Sequence, residues 1–211
     1  MRPLRSMHSR QRRTLLRFSS AGLALAALGG LLPQARAAVV LEGVSFDDRI
    51  TLAGRELQLN GTGLRAAGWF KLYVAALYLP SRAGTAEQAL AQAGPKRVRV
   101  VMLRKAPGPE FGKAVDKGVL RNVNPAEQEA LRERLARLTD QMRGVPEVRG
   151  GDIVDLDHDP VRGTVMLLNA KPRGPAIPGG DFYTALLRSF IGEHPYHPDL
   201  RAGLLGAPPK S

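Results

Sequence analysis

Residues 69–79, Trp-Phe-Lys-Leu-Tyr-Val-Ala-Ala-Leu-Tyr-Leu, form the most apolar run outside the N-terminus, and Pro80 closes it. Aromatic and β-branched side chains suit a pleated surface, so the run predicts a long buried strand. Side chains alternate across a strand. Lys71, Tyr73, Ala75 and Leu77 therefore share one face, and Leu72, Val74, Ala76 and Tyr78 the other. Tyr73 and Tyr78 point oppositely, and only one of them can line a cleft. Shorter alternating runs precede this strand at 39–41, 50–52 and 56–59, with a hairpin turn at Ala53-Gly54-Arg55. Gly61-Thr62-Gly63 reads as a flexible corner, and residues 97–103 as another strand.

Helical signals follow. Residues 85–93 are alanine-rich and suit a short helix. Pro109 opens a second helix, with Phe111, Ala114, Val115, Gly118 and Val119 on one face. Asn124, Pro125 and Glu127 have the spacing of a capping box, and Leu131, Leu135, Leu138 and Met142 form the apolar stripe of the helix they start. That helix stops at Gly144. Residues 152–158 and 163–169 read as strands, Asp181 as the cap of a helix ending at Gly192, and Pro198 as the start of a last short helix. Strands, helices, strands and helices in that order predict an α+β domain, not a βαβ nucleotide-binding fold.

The net charge of +12 over 211 residues would suit a nucleic-acid binder if it were spread evenly. It is not. Residues 1–37 hold seven arginines and no acid, so the remainder carries about +5, an ordinary surface balance. No basic block interleaved with aromatics is left, and nucleic acid is not an expected partner. Gln11-Arg12-Arg13-Thr14-Leu15-Leu16-Arg17 resembles a twin-arginine export signal. A short, glycine-loosened apolar stretch over 18–32 and a small-residue cleavage site, Ala35-Arg36-Ala37, follow it. Residues 1–37 are thus expected to be a signal peptide and 38–211 an exported domain, periplasmic or secreted, with no stable membrane span once cleaved. The alternatives are an uncleaved anchor and export by the general route. The chain has no cysteine, which excludes disulfides, thiol nucleophiles and cysteine metal sites.

Other chemistry is sparse. Asp155, Asp157 and Asp159 alternate with His158, a pattern expected of a solvated edge strand in preference to a metal site. His194 and His197 flank Pro195 without a third ligand and read as helix-boundary residues. There is no Gly-x-Ser-x-Gly elbow and no phosphate-cradling glycine loop, and no cofactor or metal is expected.

Three segments together resemble the bacterial chalcone-isomerase-like family. They are Leu59-Asn-Gly-Thr-Gly-Leu-Arg65 with Phe70–Leu79, the stretch Glu110–Gly118, and Ile177-Pro-Gly-Gly-Asp-Phe running on to Ser189–Pro198. The resemblance implies an open-faced β-sandwich, in which a large antiparallel sheet is covered on one side by helices with a ligand cleft between. Plant members of the family isomerise chalcones, and related plastid proteins bind fatty acids in the same cleft. Arg65 matches the arginine that steadies negative charge in the enzymes and pairs with the carboxylate in the binders. Tyr73 falls where the binders carry tyrosine and the enzymes threonine. Ser189 matches a hydroxyl-bearing position on the late helix. Phe111 and Gly118 stand where the enzymes have a tyrosine and an asparagine, and the loop after Arg65 is shorter. The implied function is a non-catalytic binder of a small apolar carboxylate such as a fatty acid, with Arg65, Tyr73, Phe111 and Ser189 as ligand-binding residues. The alternatives are an intramolecular lyase acting on a chalcone-like enone through Arg65, and an envelope interaction module without a ligand. A purely structural alternative for the site is that Arg65 pairs with a core acid and both tyrosines merely pack. Oligomeric state is not legible.

The leader reading has a direct check. N-terminal sequencing of the exported protein is expected to start at Ala38, and replacing Arg12 and Arg13 by lysine to abolish export; an intact N-terminus on the exported protein would refute the cleavage site.

Overall fold

The computed structural model describes residues 38–208; the leader expected over 1–37 lies outside them. The chain begins with strands β1 (Ala38–Leu41), β2 (Val44–Asp47), β3 (Arg49–Leu52), β4 (Arg55–Ala67) and β5 (Phe70–Leu79). Helix α1 (Ala86–Ala91), strands β6 (Lys96–Met102) and β7 (Ala106–Pro107), and helices α2 (Gly108–Leu120) and α3 (Pro125–Arg143) come next. Strands β8 (Glu147–Val148), β9 (Ile153–Asp159), β10 (Gly163–Leu168) and β11 (Lys171–Pro172) precede helices α4 (Gly180–Ile191) and α5 (Pro198–Leu204). The expected α+β architecture is present. Seven strands form one antiparallel sheet in the order β11-β10-β9-β6-β5-β4-β3, and β1–β2 and β7–β8 are separate pairs.

The apolar run of 69–79 is the centre of this sheet: β5 lies between β4 and β6, and Val74–Leu79 are fully buried. Its two faces feed two cores. Ala75, Leu77 and Leu79 pack with the apolar stripes of the helices, while Val74, Ala76 and Tyr78 pack with Phe46, Ile50, Leu57 and Leu59. The buried members of both cores run from Phe46 to Leu204 and lie within one compact unit.

Local signals hold for most elements. Asn124 and Glu127 close a reciprocal capping box on α3, Thr85 caps α1 and His197 caps α5 through its ring. Three expectations are corrected. Gly61-Thr62-Gly63 is no flexible corner but the middle of β4, where α5 crosses so closely that a Cβ on Gly63 would lie 2.5 Å from the Leu200 carbonyl oxygen. Asp181 is not the cap of α4: that helix starts after Gly179 at φ +102, and the Asp181 carboxylate instead takes two bonds of 2.7 and 2.8 Å from Arg134. The 153–159 strand is not an edge. It is held between β6 and β10 because Arg97 and Arg99, directly across from Asp157 and Asp155, meet those buried carboxylates bidentately at 2.5–2.8 Å. The sequence of β9 shows the acids and not the bases that neutralise them.

The α5 crossing supplies a stability test. Gly63→Ala, which has to displace the Leu200 backbone, is expected to lower the unfolding free energy by about 1–3 kcal/mol in chemical denaturation; unchanged stability would mean the crossing is looser than described.

Candidate functional site

Arg65 on β4 and Tyr73 on β5 are direct cross-strand partners. Their side chains therefore share a face, the one under the helices. With Leu72, Val100, Phe111, Ala114, Val115, Phe190 and Tyr196 they line a cavity of about 150 Å³. A second cavity of about 170 Å³ adjoins it. Leu72, Tyr73, Phe111 and Ala114 line both, and the second adds Met102, Arg104, Lys105, Ala106 and Glu110. Phe111 comes from the first turn of α2, set by Pro109 at the helix start. Tyr196 comes from the segment between α4 and α5 and meets Phe190 edge-on, with ring centroids 5.0 Å apart.

The electrostatics of the first cavity are simple. Its lining holds no carboxylate and no imidazole. Arg65 donates one bond, 2.5 Å, to the carbonyl of Ala66, and among the described residues no carboxylate lies within ion-pair distance of it. The Tyr73 hydroxyl makes no hydrogen bond among the described residues. Burial, and after it the neighbouring Tyr196, push its pKa well above 10, while Arg65 pulls the other way. A guanidinium with free N–H groups beside a protonated phenol in an apolar pocket can take one carboxylate, by charge-assisted bonds from the arginine and one neutral bond from the tyrosine.

The structure thus brings Arg65, Tyr73 and Phe111 together. Ser189 does not reach the cavity wall: it is fully buried on α4, its hydroxyl donates to the Leu186 carbonyl at 2.6 Å, and it stands behind Tyr196. Tyr78, the opposite-facing tyrosine, donates to the Asp47 carbonyl at 3.0 Å in the other core. Tyr196 was missed in the sequence because it follows a proline in a non-periodic segment. Gly118 is the signal that could have found it, since a Cβ there would overlap the Tyr196 ring and hydroxyl. The aspartates 155 and 157 are fully engaged by arginines, and among the described residues no group of three or more acids or histidines could hold a metal.

A two-layer fold with an open-faced antiparallel sheet and an arginine–tyrosine pocket beneath its helices defines the class of protein. The family described as chalcone isomerase-like matches residues 38–206, and the chain belongs to it. None of the curated proteins compared matches the chain significantly. Among solved structures the chain is similar to a fatty-acid binding protein of Arabidopsis thaliana, with a TM-score of 0.61 at 17% identity over 80% of this chain and 96% of that one. At that identity the likeness is one of fold.

Burial raises all four tyrosines of the chain, Tyr78 and Tyr196 to about 12. The folded state thus favours the neutral phenol. The stability this contributes is full below pH 10 and is lost as pH rises towards the folded-state values. Absorbance titration is expected to show no phenolate in the folded protein below about pH 11, and phenolate appearing together with loss of structure above it. A tyrosine ionising near pH 10 with the fold intact would contradict this burial.

Proposed function

We propose that the protein binds a small apolar carboxylate, with a fatty acid as the fitting class, and does not catalyse a reaction on it. The observation that carries this reading is Arg65: a guanidinium with no carboxylate partner among the described residues, facing an apolar cavity beside the unpaired hydroxyl of Tyr73. The head group binds there. Each methylene of the tail that leaves water adds about 0.8 kcal/mol. Each cavity alone is smaller than the roughly 300 Å³ at which sites for drug-sized ligands begin. A long tail therefore runs from one cavity to the other, between Tyr73 and Phe111, which line both. The fatty-acid binding protein of similar fold supports the ligand class. Against isomerisation stand Phe111, which has no proton to give, and Tyr196, which fills the space an asparagine at 118 would need. We further propose that the protein works outside the cytoplasm after loss of residues 1–37. The family match begins at Ala38, next to the expected cleavage site, which supports that boundary. No helix among the described residues is long and apolar enough to cross a membrane.

Mass spectrometry of organic extracts from residues 38–211 tests the receptor. Wild type is expected to carry a fatty acid that Arg65→Ala loses, with affinity in titration falling about 10- to 100-fold, and about 2- to 10-fold for Tyr73→Phe. Equal content in wild type and Arg65→Ala, both folded, would refute Arg65 as the carboxylate receptor.

A further inference from the structure

The β4–β5 hairpin runs past the rest of the sheet. β6 pairs with β5 only from Tyr73 onward, and β3 pairs with β4 only as far as Gln58, so Ala66–Lys71 stand out as a two-stranded ribbon. The turn is two residues, Gly68 and Trp69. Gly68 has φ +58, the first-position geometry that a type II′ hairpin reserves for glycine. Trp69, the only tryptophan of the chain, is 83% exposed, and Phe70 is 42% exposed. Their rings stack at 4.0 Å. Neither belongs to either core, so the fold gains little from two of the largest apolar side chains it has.

Cations outnumber acids around this tip, and Glu110, which lines the outer cavity with Arg104 and Lys105, is paired with Lys113 at 2.8 Å. The Arg104 guanidinium lies 5.6 Å from the Phe70 ring centroid and has no carboxylate within ion-pair distance among the described residues. Lys105 and Arg149 share one acid, Glu147, at 3.4 and 3.5 Å. Lys71 is matched by Glu42 at 2.6 Å. Amphipathic aromatic rings sit at the headgroup level of bilayers, and each nearby cation adds about 1 kcal/mol of attraction to anionic lipid. A protein partner fits less well. Two aromatic side chains of roughly 150–250 Å² each fall short of the roughly 800 Å² per side that a specific protein interface buries.

We propose that the Trp69–Phe70 tip docks on an anionic lipid bilayer, its rings entering the headgroup layer while Arg104, Lys105 and Arg149 meet lipid phosphates. Arg104 and Lys105 also line the outer of the two adjoining cavities, and Arg65 lies on the same hairpin just behind the tip. Docking therefore sets the mouth of the ligand site against the membrane from which a fatty acid is taken or to which it is delivered. This last step rests on the carboxylate-receptor reading; the docking itself does not.

The test uses the protein without residues 1–37, vesicles of mixed phosphatidylglycerol and phosphatidylcholine, and no added fatty acid. Trp69 is the only indole, so its emission reports the tip alone. The expected result is a shift to shorter wavelength with anionic vesicles, quenching by brominated acyl chains, and reversal at high salt. In vesicle flotation, Trp69→Ala and Arg104→Glu are each expected to lower partitioning about tenfold or more, with circular dichroism unchanged. Trp69→Ala is also expected to keep the fatty-acid content of wild type. No emission shift in wild type, or flotation of Trp69→Ala equal to wild type, would overturn the docking proposal. Flotation that depends on Trp69 in a protein carrying no fatty acid would uphold docking and refute only the receptor.

Discussion

The site depends on one extra residue in β4. Leu59 pairs with Tyr78 and Gly61 with Leu77, so Asn60 is a bulge. A bulge shifts the alternation of a strand by one. Before it, Leu57 and Leu59 point to the outer core with Tyr78; after it, Gly61, Gly63 and Arg65 point to the helices with Leu77, Ala75 and Tyr73. Without Asn60 as the extra residue, Arg65 would face the other way. The bulge is held by side-chain bonds: the Asn60 amide donates to Ala83 and Leu204 carbonyls at 3.0 and 2.7 Å and accepts from the Ala83 N–H at 2.7 Å. A buried asparagine with three partners fixes a register, because any slip strands its polar atoms.

The same turned strand explains the glycines. Once positions 61 and 63 face inward, α5 lies directly on them, and only a residue without Cβ lets the helix approach. The approach in turn positions Leu204, whose carbonyl completes the Asn60 bonds. The bulge, the glycines and α5 therefore support one another, and Arg65 inherits its orientation from all three.

The treatment of the arginines separates structure from function. Arg97 and Arg99 meet their acids bidentately, as expected where an unpaired buried carboxylate would cost several kcal/mol. Arg65, partly buried in an apolar lining, has only a neighbouring carbonyl. Both sets were visible in the sequence, but not their partners. The central strand, the capping box on α3 and the α+β order were legible because they follow from local periodicity and capping chemistry. The role of Gly61 and Gly63, the interior place of β9 and the contribution of Tyr196 were not, since each depends on a residue distant in sequence: Leu200, Arg97 and Gly118.

The pairing of Arg65 with Tyr73 came from a resemblance, since alternation alone left Tyr73 and Tyr78 equivalent. The structure shows why parity was insufficient. A second irregularity follows Arg65, where the register passes from Tyr73 to Lys71 and leaves Leu72 as the extra residue on β5. Leu72 consequently lines both cavities with Tyr73, although strict alternation sets them on opposite faces. The hairpin is thus divided by two bulges into three sections: a base packed in the outer core, a middle that turns Arg65 and Tyr73 under the helices, and a tip that carries Trp69 clear of the sheet. Because a shift at either bulge moves every side chain beyond it to the opposite face, receptor and tip are fixed by one register. A chain that keeps Arg65 inward and Trp69 outward has to keep Asn60 and Leu72 unpaired between them.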